Sequence, residues 1–251
     1  MRHVRRSRVR SWLNAGRDLV PDRFEVPARY WSMRLLRFLE PEVERLPEWV
    51  TPGGVSLDVG ANYGPYTYAL ANLSAQVHAF EPNPECARVL RAWHRGNVRV
   101  HQLALSDVTG VARLQVPMVD GTARSTQGNI RPDGEGVEVE TRRLDDFAFE
   151  RVDFVKVDVE GHELALVAGA ADTLVRHRPV VLMEIAAKLL TGDVDVHTVV
   201  DAVEALGYRG TLLAPSGDVP AADFSIARHQ PLVDGDRGEG YANMFVFHPF
   251  E

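Results

Sequence analysis

The segment Ser56–Leu70, SLDVGANYGPYTYAL, decides how this chain is read. With Val55, its residues Leu57 and Val59 make the short apolar run of a buried strand, and after Gly64 small and apolar residues suit a helix. Gly60 and Gly64 mark the turn between the two. A strand, a glycine turn and a helix N-terminus let a ligand approach backbone N–H groups without meeting a Cβ. The turn therefore predicts a binding site, and the rest of the chain has to say for what.

Working outward, short apolar runs keep alternating with helical patterns. AQVHAFEP (75–82) precedes a helix opening near Pro84, and VRVHQLALSD (98–107) reads as a third strand. RVDFVKVDVEG (151–161) is followed by the helical ELALVAGAADTLVRH (163–177) and then by RPVVLMEI (178–185). This rhythm predicts βαβ units, hence a parallel sheet with helices on both faces. Between Thr109 and Arg143 the rhythm changes: VARLQVPMV and GVEVETRRL look like two strands joined by the polar loop of residues 120–136. We expect that loop to contact the acceptor substrate. The C-terminal part reads as helix, strand, loop and a final strand, YANMFVFHP, the last two strands forming an antiparallel edge. Upstream, YWSMRLLRFLEPEVERLPEWV (30–50) predicts amphipathic helices interrupted at Pro41 and Pro47. The expected organisation is one α/β domain over residues 51–251, preceded by a basic arm and helical extension over residues 1–50.

Composition narrows the function. The 251 residues, 45% hydrophobic and 25% charged, are ordinary for a globular protein. A formal charge of -7 argues against a surface built for nucleic acid. The start, MRHVRRSRVRSW, is read as a solvated tail. One cysteine, Cys86, excludes an intramolecular disulfide and a cysteine-based zinc site and suits a reducing compartment. No apolar run is long enough for stable membrane insertion, so a cytoplasmic location is expected. No two of the nine histidines have helical metal-ligand spacing.

Open α/β sheets bind ligands outside the C-terminal ends of their strands. Here those ends are polar: Asp58, Gly60, Asn62 and Gly64 after the first, Glu81 after the second, Ser106 and Asp107 after the third, Lys156, Asp158 and Glu160 on the fourth, Glu184 on the fifth. Glu81 follows the glycine turn by about twenty residues, the interval at which an acidic residue accepts hydrogen bonds from ribose hydroxyls. A dinucleotide turn needs G-x-G-x-x-G, but these positions hold Gly60, Asn62 and Pro65; a P-loop is absent as well. A nucleoside cofactor without a pyrophosphate remains, and S-adenosylmethionine fits that description.

LDVGANYGPYT, FEPNP, ALSD, RRLDDF, VDFVKVDVEGHE and RPVVLMEI occur in the order found in the FkbM family of S-adenosylmethionine-dependent methyltransferases, which the chain resembles over roughly Val55–Ile185. The resemblance implies a Rossmann-like class I methyltransferase sheet of seven strands, the last antiparallel, and O-methylation of a hydroxyl on a sugar or natural-product small molecule. Asp58 and Gly60 would then meet the methionine end of the cofactor, Asn62 and Gly64 would shape the same turn, Glu81 would hold the ribose, and Ser106 with Asp107 would border the adenine. A non-catalytic S-adenosylmethionine-binding module or partner subunit is the alternative.

In FVKVDVEG the charges of Lys156, Asp158 and Glu160 alternate with valines, so as a strand it would place all three on one face. Buried on a two-sided sheet they must pair or reach the crevice. Asp158 or Glu160 is expected to accept the proton of the methylated hydroxyl, with His162 as rival. Asp158, Glu160 and Glu184 could also hold a metal, but strand-end carboxylates occur without one, and no metal is assigned.

Overall fold

The computed structural model describes residues 20–115, 118–119, 122–123, 129–131 and 135–250. The arginine run at the start and most of the 120–136 loop lie outside the described residues.

Five parallel strands form the middle of the main sheet: β1 (Val55–Val59), β2 (Gln76–Phe80), β3 (Val98–His101), β10 (Phe154–Val157) and β11 (Val180–Glu184). Beside β11, the final strand β16 (Met244–Pro249) runs antiparallel, followed by β12 (Tyr208–Leu212). The order β12-β16-β11-β10-β1-β2-β3 is the expected seven-stranded arrangement, and a two-residue strand β13 (Val219–Pro220) adds an eighth at the β12 edge. Alternation along the strands explains the two-sided burial. Val155 and Val157 of β10, with Val181 and Met183 of β11, pack in a cluster with Leu166, Leu174, Val199 and Val203. Phe154 and Leu182 face the other way, against Leu46, Trp49 and Leu70. Each such fully buried side chain stabilises the fold by about 1.5–3 kcal/mol relative to exposure.

A second sheet is built from β4 (Ala104–Leu105), β5 (Gly110–Gln115), β8 (Asn129–Arg131) and β9 (Val137–Arg142), in the order β4-β9-β5-β8. Two short hairpins, β6 (Met118–Val119) with β7 (Thr122–Ala123) and β14 (Leu232–Val233) with β15 (Asp236–Arg237), complete the strands. The run 98–107 is thus two strands rather than one. It leaves the main sheet at His101 because β4 finds its partner in β9, with Ala104 beside Thr141 and Leu105 beside Arg142. Ser106 and Asp107 consequently follow the inserted sheet, not the third strand of the main one.

The 151–161 run is also shorter than its pattern. The Asp158 N–H still donates to the Val59 carbonyl at 2.9 Å, but β10 stops at Val157. Glu160 (φ 47°) and Gly161 (φ 89°) both turn into the left-handed region, so Glu160 does not continue the face of Lys156.

The N-terminal helices are α1 (Asp22–Leu35) and α2 (Pro41–Trp49); the glycine turn feeds α3 (Pro65–Leu73), and Asn83 caps α4 (Pro84–Trp93) by accepting from the Glu85 N–H. Pro41 starts α2, as expected, whereas Pro47 lies inside it without breaking it. In a helix held by buried Val43, Leu46 and Trp49, tertiary packing outweighs one missing hydrogen bond. Helix α1 begins well before Tyr30 and contains Pro27, because Val26 and Tyr30, one turn apart, both bury against the domain. After β10 come α5 (Glu163–Gly169) and α6 (Ala171–His177), then α7 (Val196–Glu204) and α8 (Ile226–His229).

Candidate functional site

A cleft open to solvent lies at the C-terminal ends of β1, β2 and β10. The glycine turn forms one wall. Gly60 sits at φ 75°, and a Cβ there would stand 1.8 Å from the Asp158 carbonyl oxygen, so only glycine allows the β1 turn to pass this close to the β10 turn. Asn62, also left-handed at φ 52°, directs its N–H to Glu81 Oε2 at 2.6 Å, while Glu81 Oε1 accepts from the Asn83 N–H at 2.8 Å. One carboxylate thereby ties the β1 turn to the β2 turn. Burial pushes Glu81 up to about 7, against the opposing pull of those two N–H groups. Phe80 and Leu103–Leu105 supply the apolar wall beside it.

Asp58 and Gly64 do not line this cleft; they hold the turn from behind. Asp58, with no exposure, accepts from Thr67 Oγ1 at 2.5 Å, and its other oxygen, Oδ1, has no hydrogen-bond partner. Gly64 (φ 85°) caps α3, where a Cβ would come within 2.7 Å of Leu90 and 3.2 Å of Val26. Lys156 is the counterion. Parallel register sets it beside Asp58, and its ammonium lies 3.9 Å from Asp58 and 3.4 Å from Asp158, also donating to the Gly60 carbonyl at 3.4 Å. Burial alone would lower the Lys156 pKa, yet Asp158 and Asp58 hold it above its ordinary value. Burial raises Asp58, and Lys156 and Thr67 oppose the rise.

Asp158, Glu160 and His162 form the opposite wall. Glu160 is pushed up to about 7 by burial and by its neighbours Asp158 and Glu163. His162 is held below the ordinary imidazole value by burial, which Asp107 partly offsets. Behind it stands buried Ser106. Its Oγ donates to Asp107 Oδ1 at 3.0 Å, so the 2.9 Å contact between Ser106 Oγ and His162 Nε2 has Nε2–H as donor. That bond leaves Nδ1 as the unprotonated nitrogen of the neutral ring. Ser106 and Asp107 therefore act on His162, a link that no local spacing shows, since the partners are 56 residues apart.

Glu184, at the end of β11, is occupied by Arg237 Nη2 at 2.8 Å and by Asn243. Burial, with Asp158 and Glu40 nearby, pushes it up to about 8. Among the described residues no group of three histidine, cysteine, aspartate or glutamate side chains is placed to hold a metal ion. Sequence reasoning missed Thr67, Glu163 and Arg237. Thr67 sits in the first turn of the helix after the glycine turn and was legible as a possible partner for Asp58. Glu163 is buried, accepts from the Gly161 N–H at 2.9 Å, and is pushed up to about 7 by burial. Arg237 reaches Glu184 from a hairpin 53 residues away, with no local signal.

The strand order and the cleft together define a class I methyltransferase fold. Residues 58–209 match the methyltransferase FkbM domain, and the chain belongs to that family. A curated relative, 2-O-methyltransferase NoeI of Sinorhizobium fredii (strain NBRC 101917 / NGR234), is 30% identical over 174 residues, covering 60% of this chain and 71% of its own. The crystal structure of methyltransferase FkbM from Methylobacillus flagellatus KT superposes with a TM-score of 0.51 at 18% identity, over 78% of this chain. This chain spans 44% of that protein's length. The chain is a methyltransferase by family. No described helix is long and apolar enough to cross a membrane.

Proposed function

We propose that the protein transfers a methyl group from S-adenosylmethionine to a hydroxyl of a small, polyhydroxylated acceptor. The observation that carries this reading is one cleft joining a close-approach glycine turn and a buried ribose-type carboxylate, Glu81, to a wall of proton-accepting groups. The residues present fit the cofactor. Glu81 opens on the cleft beside apolar Phe80 and Leu105, as a nucleoside requires, while buried Asp58, its Oδ1 facing the Lys156 ammonium at 3.9 Å, supports the glycine turn from behind. Gly60 and Asn62 would border the methionine end. When bound, the cofactor supplies an electrophilic methyl on a sulfonium.

The chain's own part is alignment, exclusion of water and removal of one proton. His162 Nδ1 accepts the hydroxyl proton, its ring fixed by the Ser106–Asp107 relay. Asp158 and Glu160 accept hydrogen bonds from acceptor hydroxyls and orient them, and Lys156 keeps the β1 and β10 turns together without entering the cleft. Ile130 and Leu114 of the inserted sheet also line the cleft, which supports acceptor contact by the 120–136 segment. Three cleft carboxylates, Glu81, Asp158 and Glu160, favour an uncharged acceptor over a nucleic-acid backbone. The family relative that acts as a 2-O-methyltransferase supports oxygen as the methylated atom. The division into an extension of residues 1–50 and a domain of residues 51–251 is supported, over the described residues, by the packing of α1 on α3 and α4 and of α2 on α3; buried Cys86 as sole cysteine supports a reducing, cytoplasmic setting. Calorimetry with S-adenosylmethionine, followed by mass spectrometry of hydroxylated metabolites incubated with both, tests the reading. Absence of cofactor binding by the folded protein would refute it.

A further inference from the structure

We infer that helix α1 is a docking face for an anionic lipid bilayer, which the protein binds peripherally. Its inner face is used: Val26 and Tyr30 are buried, and Arg29 lies over the Tyr63 ring at 4.0 Å. The outer face carries Phe24, Trp31 and Leu35, which are 51%, 54% and 84% exposed. Their spacings of seven and four keep them within an arc of roughly 40° at about 100° per residue, one apolar stripe along the helix. The Trp31 indole N–H donates to Tyr68 Oη at 3.1 Å, which fixes the ring against α3 while more than half of the residue stays exposed. Arginines flank the stripe, with Arg23 over the Phe24 ring at 4.7 Å and Arg34 over the Trp31 ring at 5.6 Å. Bulky apolar groups alternating with cations, on a helix lying flat against its domain, are the chemistry of the headgroup boundary.

The charge distribution selects the occupant. Residues 1–37 contain ten arginines and three acidic residues, a formal +7, while the whole chain is -7, so the remainder carries -14. In the sequence this arginine-rich stretch runs into the helix that carries the apolar stripe, and the two together are the pair of signals that stable peripheral binding requires. A second copy seated on this face would bring two +7 segments together and is disfavoured. A nucleic acid would use the arginines but leave Trp31, Leu35 and Phe24 in water. A negatively charged bilayer satisfies both halves of the surface, and the acidic remainder, repelled by it, orients the molecule with α1 toward the lipid. Because α1 also packs over Gly64, through Val26, the docked face adjoins the glycine turn.

The test is co-sedimentation of the full chain with vesicles of phosphatidylcholine alone or mixed with phosphatidylglycerol. We expect binding to the mixed vesicles, weakened by salt, and little binding to the neutral ones. Trp31→Ser with Leu35→Ser should reduce the partition coefficient at least about tenfold, since two exposed apolar anchors are removed. Arg34→Gln with Arg37→Gln, changes at exposed positions that leave the helix core intact, should weaken binding and flatten its salt dependence without moving the melting temperature. Equal binding to neutral vesicles, no binding to either, undiminished binding by the folded serine variant, or binding to single-stranded RNA but not to vesicles at the same ionic strength would each overturn the proposal.

Discussion

The two walls of the cleft solve the problem of buried charge in opposite ways. On the β1–β2 side, both oxygens of Glu81 are met by backbone N–H groups of the turns it joins. On the β10–β11 side, Asp158, Glu160, Glu163 and Glu184 crowd one another, with Arg237 and Lys156 among the cations that face them. The first wall is prearranged, because both Glu81 oxygens are met by the backbone of the turns they join. On the second, Glu160 is pushed up to about 7 beside an imidazole held below its ordinary value, and behind that wall Glu163 and Glu184 are pushed up to about 7 and about 8. Glu81 is itself pushed up to about 7, so the walls differ in how their carboxyls are held, by backbone N–H groups on one side and by side-chain cations on the other.

The contrast breaks most sharply at His162. Replacement by Gln should lower turnover by about a factor of a hundred to ten thousand while leaving cofactor affinity and melting temperature nearly unchanged. Ser106→Ala should lower turnover less and move the acid limb of the rate profile, because the ring keeps its base but loses its fixed orientation. In the parent protein, turnover should fall on acidification only below the ordinary imidazole range, because burial holds His162 down and delays its protonation. A normal rate in the Gln variant would transfer the proton-accepting role to Asp158 or Glu160.

Next in size is the link between the walls. Lys156→Met leaves buried Asp58 without its cation and should destabilise the fold by about 3–5 kcal/mol in urea titrations. Adding Asp58→Asn should recover much of that loss, since the uncompensated charge goes with it. Full additivity of the two changes would show that the pair is not coupled.

The first wall should respond chiefly in affinity. Glu81→Gln is expected to weaken cofactor binding by about 1.5–3 kcal/mol through loss of hydrogen bonds to a charged group, with a smaller fall in melting temperature because the amide can accept from only one of the Asn62 and Asn83 N–H groups. Unchanged affinity by calorimetry would remove Glu81 from the cofactor site.

The smallest effect lies behind that wall. His78 Nδ1 and His101 Nε2 are 3.0 Å apart with nearly parallel rings, and Phe80 and Phe147 pack on His101. His78 is pulled down to about 4 by burial, His101 and Arg99; burial, Arg99, Arg142 and Arg91 lower His101. A depressed histidine is neutral when folded and protonated when unfolded between about 4 and about 6.5, so its stabilising contribution is present above that window and is lost as pH falls through it. His78→Gln should therefore flatten the fall in melting temperature between pH 6.5 and pH 4. An identical slope in both proteins would assign the acid sensitivity elsewhere.

Local pattern carried the elements that are regular. The β1 turn, the ends of β2 and β11 and the opening of α4 at Pro84 follow from apolar runs and turn residues, because strand period and glycine conformation are properties of a few adjacent residues. Pattern failed where a partner from far along the chain decided the outcome. The break of 98–107 at His101 needs β9, and the arrest of β10 before Asp158 needs the close passage of Gly60.

For this protein, then, the sequence by itself determined the sheet class, the glycine turn, the acidic end of the second strand and the family resemblance, all of which are written in short contiguous motifs. Only the tertiary structure decided which polar residues meet. It removed Asp58, Gly64 and Lys156 from the cleft wall, set Ser106 and Asp107 behind His162, and brought Arg237 to Glu184. The reason is physical: hydrogen bonds and ion pairs reach only a few ångströms, so their partners are chosen by where the folded chain crosses itself, and those crossings join residues that no local spacing relates.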